Sequence, residues 1–431
     1  MRPSSISSSS FAAPGDEDRR AALGFVRRVL VFLAPLLVVG LASQFALWRV
    51  GEAWSMRSVL AFEEAQRAVG SETLFARALV SEEMRRYKAR HLAARTPQVV
   101  VLGSSTTMQI RDFHFGPYAK VFYNAGGLVQ HSGDLRAVAG MLDRNGWPAF
   151  IALGLDLWWF NGQWTPSRRI ASLERIESMS EFDADWAARL QAYPATLSHL
   201  SKPGGVALLG ELWGPSVPGQ KTLATDGAAA IGLAAQSGGG FRGSDGSRRS
   251  ASFLARVAAG EAYLDNEQTL RRIEQGHKRF EPGSFSFERV AEIREFLVRA
   301  KQAGCVVAGF AIPFDSQVRA ALRASPGHSA LLADYQRETR ELFEVARMPF
   351  VDAVDHFGLA DSWMINGFHG SERSMAHVVR GWLADPAARA ALPRLAASSL
   401  DCLIAAADAR GLVEGSGDCE SGVSAPSARA K

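Results

Sequence analysis

Four short stretches of this sequence carry side chains able to do chemistry, and each follows a run of apolar or β-branched residues. Val99-Val100-Val101-Leu102 runs into Gly103-Ser104-Ser105-Thr106-Thr107, and residues 120–124 run into Ala125-Gly126-Gly127. Residues 149–155 run into Asp156-Leu157-Trp158-Trp159, and residues 348–352 lead on to Asp361-Ser362-Trp363-Met364-Ile365-Asn366-Gly367-Phe368-His369. A serine, backbone amides beside glycine, a carboxylate and a histidine are what an acyl-transfer site requires. A serine hydroxyl is a weak nucleophile until an adjacent base takes its proton. His369 is the candidate base. Ser105, at a strand-to-helix junction, is the candidate nucleophile, with neighbouring N–H groups placed to face a developing oxyanion. Gly126 or Gly127 would let a substrate approach the backbone closely. Taken singly the pieces are ordinary: a Gly-Ser-Ser after a strand is commonly a turn, a lone histidine a surface residue, and Trp158 and Trp159 core packing. Their order across four strand ends is what points to a site.

Bringing these groups to one edge requires a parallel sheet, because ligands bind beyond the carboxyl ends of such strands. Apolar runs predict strands over 98–102, 120–124, 149–155, 305–312 and 348–352. Helices are expected from a Ser132 N-cap to residue 145, over 289–303 up to Gly304, and over 331–345. Strands alternating with helices imply an α/β fold with a mostly parallel sheet and helices on both faces. The pattern lapses over 163–282, which holds Gly238-Gly239-Gly240 and the run GFRGSDGSRR at 240–249. That stretch reads as a helical or irregular insertion: a lid, a partner surface or an excursion. Residues 49–96 read as a helical stalk that ends at Thr96-Pro97. The core domain is therefore expected over 97–162 and 283–395, with a C-terminal tail over 396–431.

Of the 431 residues 47% are hydrophobic, ample for a core, and the net charge of +4 is spread without a basic patch, which argues against nucleic-acid binding. Residues 29–48 contain no charge, and a helix of twenty residues spans roughly 30 Å, the thickness of a bilayer's hydrocarbon core. Arg2, Arg19, Arg20, Arg27 and Arg28 precede the run, whereas Arg49, Arg57 and Arg67 follow it. This bias predicts a cytoplasmic tail over 1–28, a single uncleaved transmembrane helix in the inner membrane and a periplasmic body. Cys305 sits in an apolar run and reads as buried. Cys402 and Cys419 are either a disulfide or two free thiols. No metal-ligand spacing or cofactor fingerprint is present.

The segment VVVLGSSTTMQI at 99–110 resembles the first block of the SGNH, or GDSL-like, superfamily of serine esterases and acetyltransferases. VFYNAGG at 121–127 is similar to the second block, the end of the third strand to the third, and NGFHGSE at 366–372 to the last. The likeness covers about residues 84–161 and 289–383 and is closer to the membrane-anchored branch found beside membrane-bound O-acyltransferases, related to alginate and lipoteichoic-acid modification proteins. It implies a flavodoxin-like three-layer sandwich with Ser105 as nucleophile, and Ser104 where the usual aspartate stands. Gly126, Gly127 and Asp156 fall at oxyanion or substrate-binding positions, and Asn366 at the acid position three residues before His369. By resemblance the activity is O-acetyl transfer to, or removal from, a cell-surface polysaccharide, without a cofactor. A membrane-bound O-acyltransferase would be the acetyl-donor partner.

Three departures stand out: Asn366 replaces the acid, Asp156 replaces the oxyanion asparagine, and the glycine of the second block is not at the usual spacing. Exchanging a triad aspartate for asparagine costs on the order of 10⁴ in rate in a serine protease. Three arrangements follow. Asp361, eight residues before His369, could act as the acid; Ser105 and His369 could work as a dyad; or the site could be degenerate, on a subunit that scaffolds a polysaccharide modification or export complex. An ionised Asp156 would repel an oxyanion; it could help only if protonated or turned elsewhere, to orient a helix or a sugar hydroxyl, and a structural role is the alternative.

Overall fold

A computed structural model of the chain describes residues 16–77, 80–165, 173–174, 228–259, 266–407 and 419. Its strands in chain order are β1 (Thr73–Phe75), β2 (Val99–Leu102), β3 (Phe122–Asn124), β4 (Phe150–Leu155), β5 (Ala229–Ile231) and β6 (Gly240–Arg242). They continue with β7 (Arg248–Arg249), β8 (Val306–Ala311), β9 (Phe350–Asp352), β10 (Met364–Asn366) and β11 (His369–Gly370). Five of them form a wholly parallel sheet in the order β3-β2-β4-β8-β9. Every residue of β2 and β4 is buried, as continuous apolar runs such as VVVL and FIALGL require when both faces of a parallel strand are covered.

Helices cover both faces. Phe343 of helix Pro326–Ala346 lies where a side chain on Gly309 of β8 would stand, 2.3 Å from the ideal Cβ position. The next residue along, Phe310, packs on Trp382 of helix Glu372–Trp382, and Trp382 also meets Phe150. Successive side chains of a strand point to opposite faces, so these two helices bracket the sheet. The order along the sheet reverses between β2 and β4, and in parallel α/β sheets ligands bind beyond the carboxyl ends at such a switch point. Ser105 follows β2 and Asp156 follows β4, at the carboxyl ends on either side of that switch point.

The all-helical stalk expected over 49–96 needs correction. Helix Met56–Ala68 gives way to Gly70, at φ +73°, and Thr73–Phe75 is a strand. β1 pairs in parallel with β5 and antiparallel with β6, and β7 completes a second sheet of order β5-β1-β6-β7. The later part of the insertion thus folds onto the segment before the core, a pairing that local periodicity cannot reveal. The Asn124 N–H at the end of β3 donates to Asp245 O at 2.7 Å. Buried Lys88, from helix Val80–Arg95, donates to Asn124 O at 2.6 Å and to Gly246 O. Burial lowers its ammonium to about 7. These bonds fasten the small sheet to the edge of the large one.

Residues 29–48 lie within one helix, Asp16–Arg49, with Leu30, Phe32, Leu37 and Leu41 all exposed. Among the described residues no helix is long and apolar enough to cross a membrane, and several side chains of this run lie outside them. The tail expected from residue 396 opens with helix Ala397–Ala406, whose Leu400 and Leu403 join the core. Cys402 and Cys419 are joined as a disulfide, and Cys305 is a buried free thiol. The Gly/Ser-rich end after residue 419 and most of 166–227 lie outside the described residues.

Candidate active site

The turn after β2 is set by backbone geometry. Gly103 sits at φ +143°, and a Cβ there would come within 2.5 Å of Thr107 Cγ2. Ser104 is buried and caps the short 3₁₀ turn Ser105–Thr107, whose first residue stays partly exposed. The Thr107 hydroxyl donates to Ser104 O at 3.0 Å and the Thr106 hydroxyl to Asp156 Oδ1 at 2.8 Å. Asp156 is fully buried. Burial raises its carboxyl to about 6, against the pull of the Ser104 and Thr106 hydroxyls and the Arg279 charge. Asp156 holds the turn from beneath rather than meeting substrate.

His369 is presented by the hairpin β10–β11, in which Asn366 pairs with His369 across the turn residues Gly367 and Phe368. Asn366 Oδ1 accepts from Phe368 N at 3.2 Å, His369 N at 3.1 Å and His369 Nδ1 at 2.9 Å. Three converging donors fix the amide oxygen toward the ring and put the imidazole proton on Nδ1. Nε2 is then a lone pair, 3.0 Å from Ser105 Oγ. The hairpin is seated on helix Ser316–Ala324: Asp315 N donates to Gly367 O at 3.1 Å, and a Cβ on Gly367 would be 2.6 Å from Val318 Cγ2.

Asp361 is not the acid. It accepts from Ser316 N at 2.9 Å and from the Ser316 hydroxyl, tying its loop to the start of that helix, and both ring nitrogens of His369 are engaged elsewhere. The eight-residue spacing allowed it to swing in, but the N–H and hydroxyl of Ser316, at the start of a helix that Asp315 also caps, hold it. Gly126 and Gly127 also differ from their expected role. Gly126 N donates to Asn124 Oδ1 at 2.7 Å, and Gly127 N donates to Gly103 O at 2.8 Å and Ser104 O at 3.0 Å. The first N–H is spent inside its own loop and the second on the carbonyls of the turn after β2. A Cβ on Gly126 would lie 2.5 Å from Thr107 Oγ1, and one on Gly127, at φ +90°, 2.4 Å from Met108 Cε. Both glycines serve close packing behind the nucleophile turn. Among the described residues the Ser105 N–H has no hydrogen-bond partner, and it is the backbone donor left for an oxyanion.

Sequence reasoning missed the residues that the insertion brings to this edge. Arg248 N, in β7, donates to Met108 O at 3.0 Å, just past the nucleophile turn. The Arg279 guanidinium lies 4.4 Å from the Trp158 ring centre and 5.3 Å from that of Phe368. Trp158 itself is buried packing, edge-on to Phe280 and Phe368, as Trp159 is buried beneath. Burial pushes the His369 imidazole down to about 3, with the Arg279 and Arg248 charges acting in the same direction. The ring is therefore a neutral base throughout the physiological range. Arg111 adds a brace: it lies 3.3 Å from Glu372 Oε1 and 3.8 Å from Asp245 Oδ2. It joins the nucleophile loop, the GSDGS segment and the helix after His369. Nothing in the local sequence around Arg111, Arg248 or Arg279 separates them from the other scattered arginines.

Among the described residues no group of three or more His, Cys, Asp or Glu side chains is arranged to hold a metal ion. No protein-family model matches this chain, and no curated protein matches its sequence.

Proposed function

We propose that this protein is an exported, SGNH-like serine O-acetyltransferase or acetylesterase acting on a cell-surface polysaccharide through an acyl-serine intermediate. One observation carries the reading: Ser105 Oγ, His369 Nε2 and Nδ1, and Asn366 Oδ1 form a continuous relay with links of 3.0 and 2.9 Å. An amide oxygen held by three donors fixes the histidine tautomer as a triad acid does, though it cannot offset the charge of an imidazolium. The same division of labour operates in Cys-His-Asn proteases.

In the first step Ser105 Oγ attacks the acetyl carbonyl carbon while its proton passes to His369 Nε2, and the carbonyl π pair moves onto oxygen. Collapse of that oxyanion expels the leaving group, which takes the proton from Nε2, and leaves acetyl-Ser105. A sugar hydroxyl, or water in an esterase, repeats the sequence in reverse and frees Ser105. The family resemblance supplies the donor, a membrane-bound O-acyltransferase, and the acceptor, a polysaccharide. The charge-free run 29–48 on an exposed helix supports anchoring in the inner membrane, and the Cys402–Cys419 disulfide supports a periplasmic body.

Labelling of the purified protein with a fluorophosphonate, followed by peptide mass spectrometry, tests the reading. Modification of Ser105 that is lost in His369→Ala is expected. A folded protein whose Ser105 does not react removes the acyl-transfer mechanism. A second reading, a silent SGNH-like scaffold subunit, is favoured by the committed Gly126 and Gly127 amides and by a carboxylate at position 156. It requires that Ser105→Ala leave surface acetylation unchanged while deletion of the gene product abolishes it.

A further inference from the structure

We propose that the Arg279 guanidinium binds the oxyanion of the tetrahedral intermediate formed on Ser105, taking the place of the side-chain donor that Asp156 cannot be. The inference rests on the acyl-transfer reading and assigns the part of that site left empty by its departures. An acyl-transfer site needs preorganised donors where negative charge develops. Here Gly126 N bonds to Asn124 in its own loop, Gly127 N bonds to the Gly103 and Ser104 carbonyls, and Asp156 is a buried acceptor bonded to Thr106. Among the described residues the Ser105 N–H is without a partner and remains on the backbone side.

Arg279 is a cation lying on the rings beside His369. Its guanidinium has no hydrogen-bond or ion-pair partner among the described residues, although the side chain is more than half covered. Instead it lies over the rings of Trp158, three residues from the end of β4, and of Phe368, the neighbour of His369. The Phe368 and His369 rings are themselves 4.5 Å apart. A guanidinium held on aromatic faces keeps its five N–H donors in its own plane, free for an incoming oxygen. The backbone around it is fixed. Lys278 adopts the left-handed conformation at φ +61°, rare for lysine and a mark of backbone held under constraint. Phe280 O accepts from His328 Nε2 at 2.8 Å, and Glu281 O accepts from Asn161 Nδ2 at 2.5 Å.

Arg279 neither gives nor takes a proton in this scheme. It hydrogen-bonds the oxygen as the carbonyl π pair arrives and releases it when the pair returns to expel the leaving group. The test uses the full-length protein and p-nitrophenyl acetate, an uncharged ester, so that no lost contact to an anionic substrate can imitate the effect. In Arg279→Gln, kcat is expected to fall about 10²–10³-fold, the usual loss on removing one oxyanion donor, with KM within about threefold. Methylguanidinium added to Arg279→Ala is expected to restore part of kcat. Arg279→Lys, which keeps the charge, should fall between wild type and Gln and guards against a misfolded truncation. A kcat unchanged in Arg279→Gln, or a change confined to KM, overturns the assignment while the acyl-transfer reading stands if Ser105→Ala is inactive. Wild-type turnover by Ser105→Ala overturns both.

Discussion

The electrostatics of His369 give a sharp expectation for the pH dependence of Ser105 reactivity. An imidazole of ordinary pKa, about 6.5, is roughly 76% neutral at pH 7 and about 3% neutral at pH 5, so a rate that needs the neutral base drops about 25-fold. In this protein burial, reinforced by Arg279 and Arg248, pushes the ring down to about 3. At pH 5 about 99% of it is then still neutral, and the rate constant for fluorophosphonate labelling is expected to be flat from pH 8 to pH 5. Asn366→Asp changes the outcome. A carboxylate accepting from Nδ1 in place of the amide oxygen at 2.9 Å favours the imidazolium. An opposite charge at such a distance raises a pKa by about 1–3 units, to about 4–6 here, so this variant should lose up to about tenfold between pH 7 and pH 5. The assay is the labelling rate followed by intact-protein mass spectrometry, with near-UV circular dichroism at each pH to certify the fold. A wild-type rate that falls with a midpoint near 6.5 refutes the account of a buried, cation-flanked base.

Asn366→Ala should slow labelling by about 10²-fold or more through loss of the fixed tautomer. Asp361→Ala should label within about threefold of wild type yet melt at a lower temperature, because it removes the acceptor at the start of helix Ser316–Ala324 at a cost of about 1 kcal/mol. Gly127→Ala combines a φ of +90° with a Cβ 2.4 Å from Met108 Cε and 2.8 Å from Met84. It should lower both thermal stability and Ser105 labelling, and an unchanged melting temperature would contradict the packing role. Replacing Cys402 and Cys419 by serine opens a loop of 17 residues and is expected to cost about 3 kcal/mol by chain entropy, read from the midpoint of urea unfolding.

The central sheet was legible because its strands need little context. Val99–Leu102 and Phe150–Leu155 are continuous apolar runs with turn signals after them, and such runs fit only strands covered on both sides. Part of the site was legible too, since Asn366 and His369 stand three residues apart across a tight turn and Ser105 follows a strand directly, but the sequence left open whether Asp361, a dyad or a degenerate site stood behind His369. What escaped the sequence depends on partners far away in the chain. Thr73–Phe75 is a strand only because residues 229–231 and 241–242 pair with it. Ser132 reads as an N-cap, but its hydroxyl donates to Glu292 Oε2 at 2.5 Å and Gly133 occupies the cap. Gly126 and Gly127 offer amides in the sequence, and only the fold turns those amides inward. Side-chain direction is not encoded by residue type, so arginines at 248 and 279 could not be told from surface charge.

The two arginines impose a tension on the site that bears on how it works. The tetrahedral intermediate carries an imidazolium on His369 and an oxyanion on the acyl carbon at once. A positive charge nearby raises the energy of the first and lowers that of the second, and the closer partner decides the balance. A base held near 3 lies far from the operating pH, and Brønsted behaviour makes it a poor abstractor of the Ser105 proton. It is correspondingly a strong acid toward a departing alkoxide. Such a site gains most when the oxyanion is bound tightly and the donor ester is reactive. Removing the Arg279 charge should therefore act with opposite signs on two observables: the acid limb of the labelling profile moves to higher pH as His369 regains basicity, while the plateau rate drops as the oxyanion loses its donor. A purely structural arginine would lower the plateau without moving the limb, and a distant one would move neither.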